Sequence, residues 1–280
     1  MTDIKRLLEI GIAVNDAKSV TRNYSQLFRA PSSDLISDIE NFAIRFTMCR
    51  VGDVDFEIME TAEANGLIQR FISQRGEGLH HIAFLVDDAD ALLQQMKRKG
   101  VPVLSDRPVR MANLKAFFVH PAYFGGMLLE FVENLHPWLD GKNYIPDPTS
   151  PLSDGLLGGS VIGGIVAKVS NPDKTAQAFK LLGAHNFTSA DNTDIEQIRC
   201  RLGNIDITLV DENAKLPEGH WLCGHSGIRR IDVEVDDPSL CAAKARSSRE
   251  YRVMQIDETT NALFSPRFHG AAFGLCPRAS

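Results

Sequence analysis

Two aligned stretches of the chain differ at the residues that can do chemistry. Residues 75–88 contain the pair His80–His81, whereas residues 224–237 align with them without a gap and contain Arg229–Arg230. An imidazole can bind a metal ion, whereas an arginine at the same place would repel a cation. The contrast predicts that the chain is a duplication in which only the first copy keeps a chemical site.

Further repeated segments support the duplication and locate its boundary. The matched pairs are Glu9–Asp16 with Gly164–Asn171, Val51–Ile58 with Leu202–Leu209, and His120–Gly126 with Ser265–Ala271. Residues 143–154 contain three prolines, which is typical of a linker. The sequence therefore predicts a domain over residues 1–142, a linker over 143–154 and a second domain over 155–280.

The elements that position the histidines follow from hydrophobic periodicity. An apolar strand over Ile10–Val14 precedes a predicted helix from about Asp16, and strands follow at Ala43–Arg50 and Asp55–Glu60. A second half repeats this order from the strand at Ile82–Val86. The pattern predicts an α+β fold of four βαβββ modules, two in each copy. Such a module has an open sheet edge and one apolar face, so we expect modules to pair.

The first copy resembles methylmalonyl-CoA epimerases and, more broadly, the glyoxalase, bleomycin-resistance and dioxygenase proteins of the vicinal oxygen chelate superfamily. Four motifs in the right order carry the resemblance, at Ile10–Asp16, Val51–Glu57, Arg75–Phe84 and His120–Glu130. The second copy resembles this superfamily only weakly. The resemblance implies a cupped sheet that holds one divalent metal ion.

The resemblance places the metal ligands at Glu9, Glu57, His81 and Glu130. Strand alternation favours His81 over His80, because neighbours in a strand face opposite sides. The family usually has histidine where this chain has Glu9. Three carboxylates and one imidazole leave a formal charge of −1 with a divalent ion, which favours harder metals. We expect Mn, Fe, Co, Mg, Ni or Zn, with Glu9 either a ligand or a base.

The second copy is not expected to bind a metal. Its positions that align with the four ligands are Gly164, Thr208, Arg230 and Leu275. Such a set offers a cation no carboxylate or imidazole. A fold that is kept without its ligands indicates that the second copy shapes or closes the site of the first.

The resemblance also implies residues for catalysis and for substrate contact. The predicted proton-transfer carboxylates are Glu130, Glu57 and Glu40. The predicted substrate contacts are Phe117, Tyr123, Phe124, Met127 and Arg110. A pocket so rich in aromatic side chains would suit a more apolar substrate than methylmalonyl-CoA.

The implied activity is proton transfer next to a metal-chelated carbonyl of a small, CoA-linked or apolar substrate, as in an epimerase or isomerase. One alternative is an extradiol-type dioxygenase, whose iron requires two histidines and one carboxylate. Another is a non-catalytic protein that binds a small molecule, as bleomycin-resistance proteins do.

Composition limits the compartment and the partners. The five cysteines are scattered and the net charge is −6, which argues against a disulfide framework and against attraction to nucleic acid or an anionic membrane. No apolar run reaches the length of a membrane span. We therefore expect a cytoplasmic monomer or homodimer with a small-molecule substrate.

Overall fold

A computed structural model describes residues 3–111, 114–134, 155–189, 197–214, 225–257 and 260–278. The predicted linker, residues 143–154, lies outside these ranges, so the domain boundaries at 142 and 155 stay predictions. Within the described ranges, none of the helices has the length and hydropathy needed to cross a membrane.

The first copy contains two βαβββ modules joined by one helix. Its strands are β1 (Ile4–Ala13), β2 (Ile36–Asp38), β3 (Ile44–Val51), β4 (Val54–Thr61), β5 (Gly78–Val86), β6 (Val109–Met111), β7 (Leu114–Val119) and β8 (Leu128–Asn134). Its helices are α1 (Ala17–Phe28), α2 (Leu67–Arg75), α3 (Ala89–Arg98) and a short 3-10 helix at Pro121–Phe124. The helix α2 joins the module β1–β4 to the module β5–β8.

In its described residues, the second copy repeats the order of the strands and of the first helix of each module. Its strands are β9 (Val161–Val169), β10 (His185–Ser189), β11 (Gln197–Leu202), β12 (Ile205–Asp211), β13 (Gly227–Val235), β14 (Arg252–Gln255), β15 (Asn261–Phe264) and β16 (Phe273–Pro277). Its helices are α4 (Pro172–Leu181), α5 (Pro238–Ser247) and a 3-10 helix at Pro266–Phe268.

Each copy forms one mixed sheet of eight strands. The strand order is β2-β3-β4-β1-β5-β8-β7-β6 in the first sheet and β10-β11-β12-β9-β13-β16-β15-β14 in the second. The two orders are equivalent, strand for strand, and each has the first strands of its two modules at the centre. The predicted α+β fold of tandem modules is therefore confirmed.

Local sequence fixes where the helices begin. The Asp16 side chain accepts a hydrogen bond from the Ser19 backbone N–H, and Asp88 does the same for Ala91. An N-cap carboxylate satisfies one of the backbone donors that an α-helix leaves unpaired in its first turn. Asp88 is therefore the N-cap of α3.

By its internal contacts the chain divides into two compact units, and each draws on both copies. The first unit consists of Met1–Glu9, His81–Trp138 and Gly164–Arg229. The second unit consists of Ile10–His80, Leu139–Gly163 and Arg230–Ser280. Each unit therefore contains elements from one module of each copy.

An aromatic cluster forms part of the core of the second unit. Phe273 of β16 has its ring 5.2 Å from Phe28 and 6.2 Å from Phe56, and 5.0 Å from Phe268. Tyr24 of α1 donates a hydrogen bond from its hydroxyl to the Phe268 carbonyl at 3.1 Å. Because residues of both copies share this core, neither copy has a complete core in this unit without the other.

We expect Phe273→Ala to lower the free energy of unfolding by about 3–5 kcal/mol, because it leaves a cavity among packed rings. Phe187→Ala is the matched control, since Phe187 is 37% exposed, and it should cost less than about 1 kcal/mol. Urea denaturation followed by circular dichroism measures both. Equal losses for the two variants would contradict the shared core.

Candidate metal centre

Three ionisable side chains converge in the first unit. Glu9, His81 and Glu130 are 8%, 2% and 6% exposed. One ligand atom from each of them lies within 4.8 Å of the other two. The His81 Nε2 atom is 3.3 Å from the Glu130 Oε2 atom. The structure therefore brings together three of the four predicted metal ligands.

Strand register explains why these side chains meet. In the parallel pair β5·β8, His81 is opposite Leu128 and Ala83 is opposite Glu130. Directly paired residues project from the same face of a sheet, so His81 and Glu130 are diagonal neighbours on one face. The strand β1, which carries Glu9, is the other neighbour of β5 in the sheet.

The three side chains fit a divalent cation. Two ligand atoms that are each about 2.1 Å from one ion lie about 3.0 Å apart when the ligand–ion–ligand angle is a right angle. They lie about 4.2 Å apart when they are on opposite sides of the ion. The 3.3 Å separation of His81 and Glu130 is close to the right-angle value, and small side-chain rotations would close the set. Two buried carboxylates and a neutral imidazole carry a charge of −2, which a divalent ion balances.

The predicted ligand Glu57 and the predicted base Glu40 are not part of this group. Glu57 lies half-buried on β4, directly opposite Met48 and on the same face as Phe46 and Met59. Glu40 is exposed in the turn that follows β2. Glu57 stays a prediction as fourth ligand or base, and Glu40 stays a prediction as base.

Phe117 and Arg110, two of the predicted substrate contacts, project from the face of the sheet opposite to that of Glu130. Phe117 is directly opposite Phe131 in β7·β8, and the two rings stack with their centres 5.3 Å apart. Because Phe131 follows Glu130 in β8, these two rings lie on the face opposite to that of Glu130. Arg110 is exposed and opposite Lys115, which shares the face of Phe117. The prediction missed this because it lacked the register of β7 with β8.

Phe124 and Met127 are core residues, so a substrate cannot reach them without rearrangement. They are 0% and 1% exposed, and the ring of Phe124 is 5.1 Å from that of Phe179. Tyr123 is half-buried, with its ring 5.4 Å from Phe124. Of the aromatic substrate contacts predicted from sequence, only Tyr123 keeps an accessible side chain.

Phe118 is the site aromatic that sequence reasoning missed. It is directly opposite Glu130 in β7·β8 and therefore shares the face of the candidate ligands. Its ring is 5.8 Å from the His81 ring and nearly perpendicular to it, at 86°. Strand alternation from Glu130 would have selected Phe118 if the pairing of these strands had been known.

A second acidic group, Asp88, Asp90 and Glu133, is explained by its structural roles. Asp88 caps α3, and Glu133 accepts a hydrogen bond from the Ala89 backbone N–H at 3.0 Å. The Lys115 ammonium is 2.9 Å from Asp90 and 3.1 Å from Glu133. Hydrogen bonds to these carboxylates raise the pKa of Lys115, so the cluster already holds a cation.

The second copy places a different ion pair where the first has His81 and Glu130. In β13·β16, Asp232 is opposite Gly274, and in β5·β8 the equivalent residue Ala83 is opposite Glu130. Gly274 is therefore the counterpart of Glu130. The sequence alignment had chosen Leu275, which is wrong by one residue. The Arg230 Nε atom donates to the Asp232 Oδ1 atom at 2.6 Å, and both side chains are buried.

Gly274 leaves room for this pair. A Cβ atom at that position would lie 2.1 Å from the Asp232 Oδ1 atom and 2.9 Å from the Arg230 Nε atom. A glutamate at 274, the counterpart of Glu130, is therefore incompatible with the ion pair as it is built. Among the described residues of the second copy, no three histidine, cysteine or carboxylate side chains bring one ligand atom each to within 4.8 Å of one another.

Comparison with known proteins agrees with this fold. Residues 9–118 match the model of the Glyoxalase/Bleomycin resistance protein/Dioxygenase superfamily. The chain is 31% identical over 134 residues to the uncharacterized protein YqjC of Bacillus subtilis (strain 168), covering 46% of this chain and 93% of YqjC. It is 25% identical over 127 residues to mitochondrial methylmalonyl-CoA epimerase of Mus musculus, covering 45% of this chain and 71% of that enzyme.

The structural likeness extends over the whole chain. A mutant of 4-hydroxymandelate synthase from Streptomyces coelicolor has a TM-score of 0.68 at 15% identity, with 100% of this chain and 95% of that chain covered. At this identity the likeness shows the fold alone, and it includes both copies. The chain belongs to the glyoxalase, bleomycin-resistance and dioxygenase superfamily, also called the vicinal oxygen chelate superfamily, and its second copy repeats the fold of the first.

We expect Asp232→Ala to lower the free energy of unfolding by about 3–5 kcal/mol, because it leaves the Arg230 guanidinium buried without its carboxylate. Asp206→Ala is the matched control, since Asp206 pairs with Arg201 at 3.2 Å near the surface, and it should cost less than about 1 kcal/mol. Chemical denaturation measures the difference. A loss at Asp232 as small as that at Asp206 would argue against a tightly buried pair.

Proposed function

We propose that this protein is a metal-dependent enzyme of the epimerase or isomerase type, which moves a proton on the carbon next to a chelated carbonyl. The observation that carries the proposal is the buried group of Glu9, His81 and Glu130 in the first copy. The likeness to methylmalonyl-CoA epimerase over the same copy supports this reaction class.

In this proposal Glu9, His81 and Glu130 hold one divalent ion, which polarises the carbonyl oxygen of the substrate when it is bound. Burial of the three side chains excludes water from one side of the site and strengthens their electrostatic interactions. With two carboxylates and only one imidazole, the donor set is harder than a two-histidine site. Compared with a two-histidine site, this donor set should therefore bind Zn less selectively over Mn or Mg.

A carboxylate of this chain would carry the proton. Glu130 and Glu57 are the candidates from sequence, and they have different positions in the structure. Glu130 belongs to the close group with His81, whereas Glu57 is half-buried opposite Met48. Return of the proton to the opposite face of the carbon gives epimerisation, and return to another atom gives isomerisation.

The site counts against the dioxygenase alternative, because the close group contains one histidine where an extradiol iron site requires two. Three measurements on purified protein separate the possibilities. Metal-dependent deuterium uptake from D2O into a panel of carbonyl compounds supports the proposal. Oxygen consumption with catechols supports a dioxygenase, and ligand binding that survives metal removal supports a binding protein.

We expect one divalent metal per chain in the wild type, and we expect His81→Ala to lose most of it because a ligand is removed. His120→Ala is the matched control: His120 is exposed and caps the 3-10 helix at Pro121–Phe124. Elemental analysis after dialysis against metal-free buffer measures the stoichiometry. Equal metal content in the wild type and both variants would rule out the assignment.

We expect Glu9→His to raise the affinity for Zn2+ by about tenfold or more, because an added imidazole softens the donor set. Competition with a chromophoric chelator measures the affinity. The conservative variant Glu9→Gln should weaken Zn2+ binding, since it removes the charge. Unchanged affinity in both variants would place Glu9 outside the ligand set.

A further inference from the structure

The face of the first sheet that carries the candidate ligands continues as an apolar surface. Phe118 is next to Glu130 across β7·β8, and its half-buried ring meets the His81 ring edge to face. The aromatic side chain therefore lies beside the place where a chelated substrate would sit. It offers that substrate a flat apolar contact and no hydrogen bond.

Beyond Phe118 the same face stays apolar. A buried cluster that includes Ala83, Ala116 and Val132 of this face supports three partly buried side chains: Leu85, Met111 and Leu114. Register places Leu114 opposite Asn134, four residues beyond Glu130 on β8. At about 3.3 Å per residue, the apolar strip runs roughly 13 Å from the candidate metal centre. That length suits the side chain of a small molecule.

The part of this face that lies on β5–β8 carries no cation among its described residues. Among the described residues of β5–β8 on this face, His81 and Glu130 are the only ionisable side chains. The cations Arg110 and Lys115 project from the opposite face, and Lys115 is already held by Asp90 and Glu133.

We propose that the substrate carries an uncharged apolar group, aryl or branched alkyl, that lies on Phe118 and the strip beyond it. Phe118 is then the residue that selects the substrate. This inference rests on the proposed metal site and narrows its substrate class. Burial of a phenyl group instead of a methyl group on such a surface should change affinity by at least about tenfold.

Two hydroxamates test the inference because they share one bidentate chelating group. Benzohydroxamate carries a phenyl group and acetohydroxamate a methyl group. Binding of each to the Co2+-saturated full-length protein is followed by the visible spectrum of Co2+. In the wild type, benzohydroxamate should bind at least about tenfold more tightly than acetohydroxamate.

Variants assign the selectivity to the strip. Phe118→Ala should reduce the ratio of the two affinities to within about threefold, because it weakens the binding of benzohydroxamate more than that of acetohydroxamate. Phe118→Leu keeps an apolar side chain, so its ratio of affinities should lie between those of the wild type and Phe118→Ala. This variant replaces Phe118→Ala in the test if the alanine variant does not fold. Arg110→Ala is the control, because Arg110 projects from the other face, and it should keep the wild-type ratio.

The outcomes separate this inference from the proposed function. Equal affinities of the two hydroxamates in the wild type, each dependent on Co2+, would overturn the apolar substrate class and leave the metal site intact. A ratio that persists in both Phe118 variants would overturn the role of Phe118. Failure of the wild type to bind Co2+ would overturn both proposals. Displacement of benzohydroxamate by acetyl-CoA would count against an uncharged substrate.

Discussion

Two buried carboxylates beside a buried imidazole constrain the first copy more than any other feature. Glu9 and Glu130 lie with His81 in a part of the molecule where water screens charge poorly. Burial of like charges is costly unless a cation balances them. A bound divalent ion would remove this cost, so the stability of the sheet centre and the proposed chemistry depend on the same contact. The central strands β1 and β5 and their neighbour β8 supply the three side chains.

The second copy has a buried ion pair at the corresponding place in its sheet. Arg230 occupies the register position of His81, and its guanidinium is paired with Asp232 on the same strand. Gly274, at the position of Glu130, provides the space that this pair needs. The guanidinium of Arg230 therefore supplies the positive charge beside the buried carboxylate of Asp232.

Sequence alone was sufficient for the fold and for most of the candidate ligands. Internal repetition and apolar periodicity predicted the modules, and the motif around His81 predicted the site. The errors came from register. Leu275 was chosen in place of Gly274, and Phe117 in place of Phe118, because a shift of one residue moves a side chain to the other face of a strand. Phe124 was assigned to the pocket because sequence shows that a residue is aromatic but not whether it is buried.

The most direct test of the account is a crystal structure of the full chain soaked with Mn2+, with an anomalous difference map. The account predicts one strong peak per chain, within about 2.3 Å of carboxylate oxygens of Glu9 and Glu130 and of the His81 Nε2 atom. The same map shows whether Glu57 supplies a fourth ligand. A map without a peak among these three side chains, or with its peak beside Arg230 in the second copy, would contradict the account.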